Sequence, residues 1–274
     1  MANTYCAYHW VTKFMMKIAL GIEYDGSAYN GWQSQKHGHG VQEDVEKALS
    51  TVADQDISVV CAGRTDTGVH ALAQVVHFET TAQRSERSWI LGANANLPKS
   101  VSVHWAKQVD YDFHARFSAL NRRYRYIILN QFSRPAVLSR RVTWKGQALD
   151  VALMSQAAED LVGEHDFSSY RAVACQASSP IRTVQYLNVT RNENFVYIDI
   201  QANAFLQHMV RNIAGVLMSI GTGEESVDWA KQVLEFRDRK LGGVTAPPDG
   251  LYFMQVEYPE KFSIPASAGS GLLI

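Results

Sequence analysis

The stretch RTVQYLNVTRNENFVYIDIQ, residues 182–201, carries the backbone reading on which the fold turns. Apolar and aromatic side chains alternate over 182–190 and again over 195–201. Asn192-Glu193-Asn194 between them supplies residues that accept the conformations of a tight hairpin. Two adjacent antiparallel strands are therefore expected. Immediately downstream, residues 204–220 place Leu206, Met209, Val210, Ile213 and Leu217 on one helical face, and Gly221-Thr222-Gly223 ends that helix. Working outward, strand patterns are read at 17–24, 57–61, 74–80, 101–106, 122–130 and 251–258, with 62–73 as a loop. Helical spacing is read at 41–51 and 227–236, and in a helix capped by Asp150, faced by Leu153, Ala157 and Leu161 and ended by Gly163. Hairpins intermixed with helices predict an α+β fold around a mainly antiparallel sheet. Each half shows strand, helix and further strands, a hint of pseudo-symmetric duplication and not of a short-period repeat.

Size and composition narrow the class. The 274 residues are 46% apolar, with 26 basic and 27 acidic side chains, which excludes disorder, collagen-like repeats and coiled coil. Cys6, Cys61 and Cys175 lie far apart without metal-ligand spacing, so neither a disulfide framework nor a zinc site is indicated and a reducing, cytoplasmic setting is expected. Lys13 and Lys17 interrupt the apolar stretch 10–22, which fits neither a signal peptide nor a membrane span. Residues 1–16 read as a disordered extension or the product of a misplaced start. Domains follow at 17–112 and 113–262, and 263–274 reads as a loose tail.

Between residues 115 and 145 lie Arg116, Arg122, Arg123, Arg125, Arg134, Arg140, Arg141 and Lys145 without one carboxylate, leaving 18 basic against 27 acidic groups elsewhere. Phe117, Tyr124, Tyr126, Phe132 and Trp144 are interleaved with them. Alternating cations and π-faces suit a surface that holds phosphates and stacks bases, and suit an ordinary solvated strand pair equally well.

The segment AGRTDTGVHA, residues 62–71, sets the lone carboxylate of Asp66 between Gly63 and Gly68, with Arg64 two positions before it and His70 four after. Flanking glycines let a short loop push one side chain into a cleft. Asp66-Thr67-Gly68 is also the tripeptide of aspartic proteases, but those enzymes need two such carboxylates and this chain has one. Read alone, Asp66 also fits a surface turn paired with Arg64.

Four blocks in order decide between these readings: AGRTDTGVHA, FHARFSALNRRYRY (113–126), NAFLQHMVRNIAG (203–215) and GLYFMQVEYP (250–259). Together they resemble the tRNA pseudouridine synthase A family, and the likeness runs from about residue 17 to 258. The resemblance implies isomerisation of uridine to pseudouridine at positions 38, 39 and 40 of the tRNA anticodon stem-loop, without metal or organic cofactor. It implies two similar α+β domains sharing a central, mainly antiparallel sheet with a basic active-site cleft between them, and a homodimer gripping tRNA across that cleft, with tRNA as the partner and no membrane. Asp66 is then the catalytic carboxylate. Tyr124 stacks on the target uracil, Arg211 pairs with Asp66 and Leu251 packs near the ring, while Arg64, His114 and Arg116 contact RNA. The chain departs from the family pattern at Thr67, Gln207 and Phe132, and the loop 175–179 lacks an arginine that some members carry there.

The reaction moves the ribose C1′ bond from N1 of uracil to C5, so it requires no redox partner. A carboxylate serves either by attacking C1′ or by removing the C2′ proton; the sequence leaves both open. An arginine beside a desolvated carboxylate favours its ionised form, and Arg211, on an otherwise apolar helix, fits that need. Tyr124 can recover part of the cost of extruding a paired base. Tyr126, Cys61, His70, His77 and His208 read as structural groups, and His37-Gly38-His39-Gly40 as plain surface. A noncatalytic RNA-binding or RNA-chaperone protein is the alternative from another class.

Overall fold

The computed structural model describes residues 15–265. Most of the expected extension and tail, and Cys6, therefore lie outside the described residues. The order of elements is β1 (Met16–Tyr24), α1 (Val41–Ala53), β2 (Val60–Cys61), β3 (His70–Thr80), α2 (Glu86–Asn96), β4 (Val101–Val109), β5 (Asn121–Asn130), β6 (Thr143–Lys145), α3 (Val151–Glu159), β7 (Gly163–Asp166), β8 (Ile181–Asn192), β9 (Phe195–Ala202), α4 (Met209–Gly221), α5 (Trp229–Phe236) and β10 (Leu251–Glu257). One sheet runs β4-β1-β3-β10-β5-β9-β8-β7, with β2 on β3 and β6 on β5. Only β3–β10 and β5–β6 pair in parallel, so the α+β, mainly antiparallel expectation holds.

The hairpin of β8 and β9 turns at Glu193-Asn194, with Glu193 at φ 52°. Alternation then does the sorting on β5: Tyr124, Tyr126 and Ile128 join the main core, while Ile127 and Leu129 pack on the opposite face with Val142, Tyr197, Tyr252 and Met254. Apolar side chains of all five helices enter the main core, among them Val45, Trp89, Met154, Ile213 and Val233. The helices therefore cover one side of the sheet.

Several boundaries differ from the sequence reading. The supposed strand 57–61 shrinks to two residues, whereas β3 begins at His70, so the Asp loop is shorter than expected. The apolar helix starts at Met209 and not at residue 204, because residues 204–208 form a turn that ends with His208 in the left-handed region at φ 64°. Leu153 lies on the outer edge of α3 at 36% exposure; the buried face is Met154, Ala157 and Ala158. Helix α2 was not expected, since only Trp89 and Ala93 of it are buried and no periodic stripe marks it.

The most consequential placement is that of β10. It comes from the end of the chain, pairs antiparallel with β5 from Leu251↔Tyr126 onward, and meets β3 in parallel at Tyr252↔His70. That insertion joins the strands of the two halves and brings the Asp loop, which feeds β3, beside β5.

Candidate active site

The Asp loop leaves β2 and re-enters the sheet at β3, and the backbone of its first residues is fastened to β3. Gln74, fully buried on β3, donates to Gly63 O at 2.6 Å, and Ala62 N donates to Val75 O at 2.8 Å. In the middle, Tyr24 Oη and Thr65 Oγ1 share a 2.8 Å hydrogen bond, and Thr65 O accepts from Trp32 N at 3.0 Å. Gly31, at φ 92°, lies so close that a Cβ there would meet Thr65 O at 2.6 Å. Gly68 uses the expected left-handed freedom at φ 79°, but Gly63 does not: a Cβ there would make ordinary contacts with Phe253 and Tyr124 at 3.6 to 3.8 Å.

A loop held this firmly sets Asp66 against α4. Arg211 Nη1 donates to Asp66 Oδ2 at 3.2 Å, across 145 residues of chain. The same guanidinium donates through Nε to Ala246 O at 2.9 Å, so its plane is fixed from two sides. The 243–246 segment is tied in turn: Arg239 donates to Gly243 O at 2.9 Å and to Thr245 Oγ1 at 2.8 Å, and Thr245 bonds to Asn212 Oδ1 at 2.6 Å. The side chains of Asp66 and Arg211 are 24% and 14% exposed, so the pair is open on one side only.

Tyr124, on β5, is 8% exposed, with Phe205 edge-on at 5.0 Å between ring centroids and Phe253 tilted at 4.8 Å. Burial, followed by the nearby Tyr24 and Asp66, pushes its hydroxyl pKa well above the ordinary tyrosine value. It is a neutral phenol beside the carboxylate. Leu251 is 5% exposed at the start of β10, where the chain bends through Leu251 N to Pro248 O at 2.9 Å. Tyr126 is a core residue, as expected, bonded to Thr143 Oγ1 at 2.6 Å and Pro247 O at 2.7 Å.

Half of the basic segment is engaged by groups of the protein itself. Arg122 donates to the carbonyls of Ala119, Asn203, Ala62 and Arg116, which ties the 113–120 turn to the root of the Asp loop. Arg123 and Arg125 both bind Asp199, and Arg141 binds Asp25 at 2.7 Å. Arg116, Arg134 and Arg140 remain exposed, as do Phe117 and Phe132 at 75% and 94%. Arg64 is exposed and, among the described residues, does not pair with Asp66 as the surface-turn reading supposed; that partner is Arg211. Its charge and that of Arg116 both act on Cys61, whose thiol burial pushes up to about 11. His114 accepts from Arg116 N at 3.2 Å and Phe117 N at 3.1 Å, and stacks on Phe117 at 4.3 Å, so it shapes the turn that presents Arg116.

Sequence reasoning missed one group. His208, read as structural, has Nε2 at 3.5 Å from Asp66 Oδ2. Its position three residues before Arg211, at the head of the same helix, was the available signal. His70 and His77 are structural as expected: His70 sits beside Gly26 N and Asp25, and His77 accepts from Ala115 N at 3.1 Å.

The geometry meets independent likeness at this point. The family model described as tRNA pseudouridine synthase matches residues 21–118 and 157–259, which spans the Asp loop, the 113–118 turn, α4 and β10. The chain belongs to the tRNA pseudouridine synthase family. The activity that goes with membership is isomerisation of uridine in tRNA. It is 60% identical over 250 residues to tRNA pseudouridine synthase A of Nitrosococcus oceani, covering 91% of this chain and 96% of that one. Against the protein of the same name from Coxiella burnetii the identity is 55% over 251 residues, with 92% and 96% covered. Against that of Pseudomonas aeruginosa it is 56% over 250 residues, with 91% and 88% covered. Among solved structures, a Cbf5-Nop10-Gar1 complex matches 86% of this chain and 48% of that one at TM-score 0.33 and 9% identity, too loose a likeness to carry an argument. No helix among the described residues is long and apolar enough to cross a membrane.

Proposed function

We propose that this chain converts uridine to pseudouridine at positions 38, 39 and 40 of the tRNA anticodon stem-loop, with Asp66 as the acting carboxylate. The observation that supports it is the meeting of Asp66 and Arg211 from opposite halves of the chain at 3.2 Å, beside a buried Tyr124. In the reaction, the bond from C1′ to N1 breaks and uracil leaves with the electron pair. Asp66 answers the electron-poor sugar, either by bonding an oxygen to C1′ or by taking the C2′ proton. The freed base turns and C5 bonds to C1′, displacing the Asp66 oxygen in the first route or adding as Asp66 returns the proton to C2′ in the second; the C5 proton then departs and N1 gains one. Electrons and atoms balance without a metal or organic cofactor.

Within that reading, Arg211 fixes one oxygen of Asp66, Tyr124 supplies a face for the extruded uracil, and Leu251 walls the ring. Arg64, His114 and Arg116 form the RNA-facing rim. The halves 17–112 and 113–262 act as two domains around the cleft, and two copies of the chain grip one tRNA in the cytoplasm. The test is nucleotide-resolution mapping of pseudouridine in unmodified tRNA incubated with the purified protein. New pseudouridine confined to positions 38 to 40 is expected. Tight tRNA binding without any new pseudouridine would contradict the proposal and favour a noncatalytic RNA-binding role.

A further inference from the structure

The way Asp66 is held differs between its two oxygens. Both partners found for the carboxylate, Arg211 Nη1 at 3.2 Å and His208 Nε2 at 3.5 Å, address Oδ2. Oδ1 has no hydrogen bond or ion pair among the described residues. We propose that His208 is a positioning residue: together with Arg211 it pins Oδ2, so that Oδ1 alone is turned toward the ribose. This rests on the reading of Asp66 as the acting carboxylate.

Two independent features support it. His208 holds a left-handed backbone at φ 64° and ψ 0° at the head of α4, a conformation in which its Cβ is disfavoured and which glycine or asparagine would adopt with less strain. Its side chain makes no capping hydrogen bond to the helix it precedes. The imidazole therefore does nothing for the local fold that a smaller residue would not do better. What it does is lie on the carboxylate, at the head of the same helix as Arg211. Its side chain is 30% exposed, so it meets Asp66 at the edge of solvent. A carboxylate whose Oδ2 accepts from a guanidinium and lies against an imidazole loses both contacts if it rotates to exchange its oxygens. Distances of this kind tighten once substrate fills the site.

The test is steady-state kinetics on tRNA with Asp66→Asn, His208→Asn and His208→Gln, alongside thermal melts. Asparagine suits the left-handed backbone but is too short to reach Oδ2; glutamine restores reach and an N–H donor. His208→Asn is expected to lower kcat about tenfold with KM within about twofold and a melting point no lower than that of the unsubstituted protein, as for a misplaced reacting group. His208→Gln should recover most of that loss. Unchanged kcat in His208→Asn, a loss that follows a fallen melting point, or a glutamine variant no better than asparagine would overturn the proposal. An active Asp66→Asn would instead overturn the reading of Asp66, so the two failures are distinguishable.

Discussion

Asp199 and Asp66 are both aspartates beside arginines, and the protein uses them in opposite ways. Asp199 on β9 is saturated: Arg123 Nη2 reaches Oδ1 at 3.2 Å, while Arg125 Nε reaches Oδ1 at 3.0 Å and Arg125 Nη2 reaches Oδ2 at 2.9 Å. Its side chain is 13% exposed and the arginines come from the neighbouring strand, so the cluster closes on itself across β5 and β9. Asp66 is more open at 24%, is met at one oxygen only, and draws its arginine from a helix 145 residues away. A carboxylate beside a guanidinium is thus a structural fitting when every lone pair is used, and keeps an oxygen free for other partners when it is met at one oxygen only.

That contrast is broken most severely by changing the arginines. Arg211→Met should lower kcat by about 100-fold, because Oδ2 loses its anchor at the proposed reacting group, and should cost about 1 to 2 kcal/mol of stability for the lost bond to Ala246 O. Arg211→Lys should recover little, since a lysine cannot bond Ala246 and Asp66 in one plane. Single-turnover rates and denaturant melts check both. Asp199→Asn should do the reverse. Two half-buried guanidinium groups would be left facing a neutral amide, costing about 2 to 4 kcal/mol of unfolding free energy in urea melts, with kcat at permissive temperature within about twofold.

A smaller effect separates the two faces of the 113–118 turn. His77, 6% exposed, is held down to about 4 by burial and then by the charges of His114 and Lys17. Its folded-state value lies below the unfolded value of about 6.5, so the unfolded chain takes up a proton that the folded chain refuses. Stability present above pH of about 6.5 should therefore fall as the pH drops toward about 4, by no more than about 3 kcal/mol. Protonation would also cost the bond from Ala115 N. Melts across that range should show the decline, and His77→Asn should flatten it. The smallest effect belongs to the exposed face. Arg116→Ala should weaken tRNA binding modestly and reduce the slope of log affinity against log salt by about 1.

Local patterns in the sequence were legible where one face is buried and the other is not. The 182–201 hairpin and the inward set of α4, from Met209 to Leu217, follow directly from their spacing. Helix α2 was not, because Trp89 and Ala93 alone face the core and Leu91 stays 55% exposed. Neither was β10 between β3 and β5, since strand order is set by contacts far apart in the chain and not by any local pattern. At the site, Asp66, Arg211 and Tyr124 were read from motif blocks, and the structure brings the three together. Charge counting over 115–145 overstated the surface that is free for RNA, because composition does not show that Arg122 binds four carbonyls or that Arg123 and Arg125 share Asp199. His208, read as a structural group, lies within 3.5 Å of Asp66 from a left-handed backbone that residue type does not announce.

The most direct test of the central claim is Asp66→Asn, which keeps the size of the side chain and removes its charge, measured for both tRNA affinity and single-turnover pseudouridine formation. Affinity within about threefold of the unsubstituted protein, with product formation reduced by more than about 1000-fold, is the expected result for loss of the group that acts on the sugar. Pseudouridine made at an undiminished rate by that variant would contradict it.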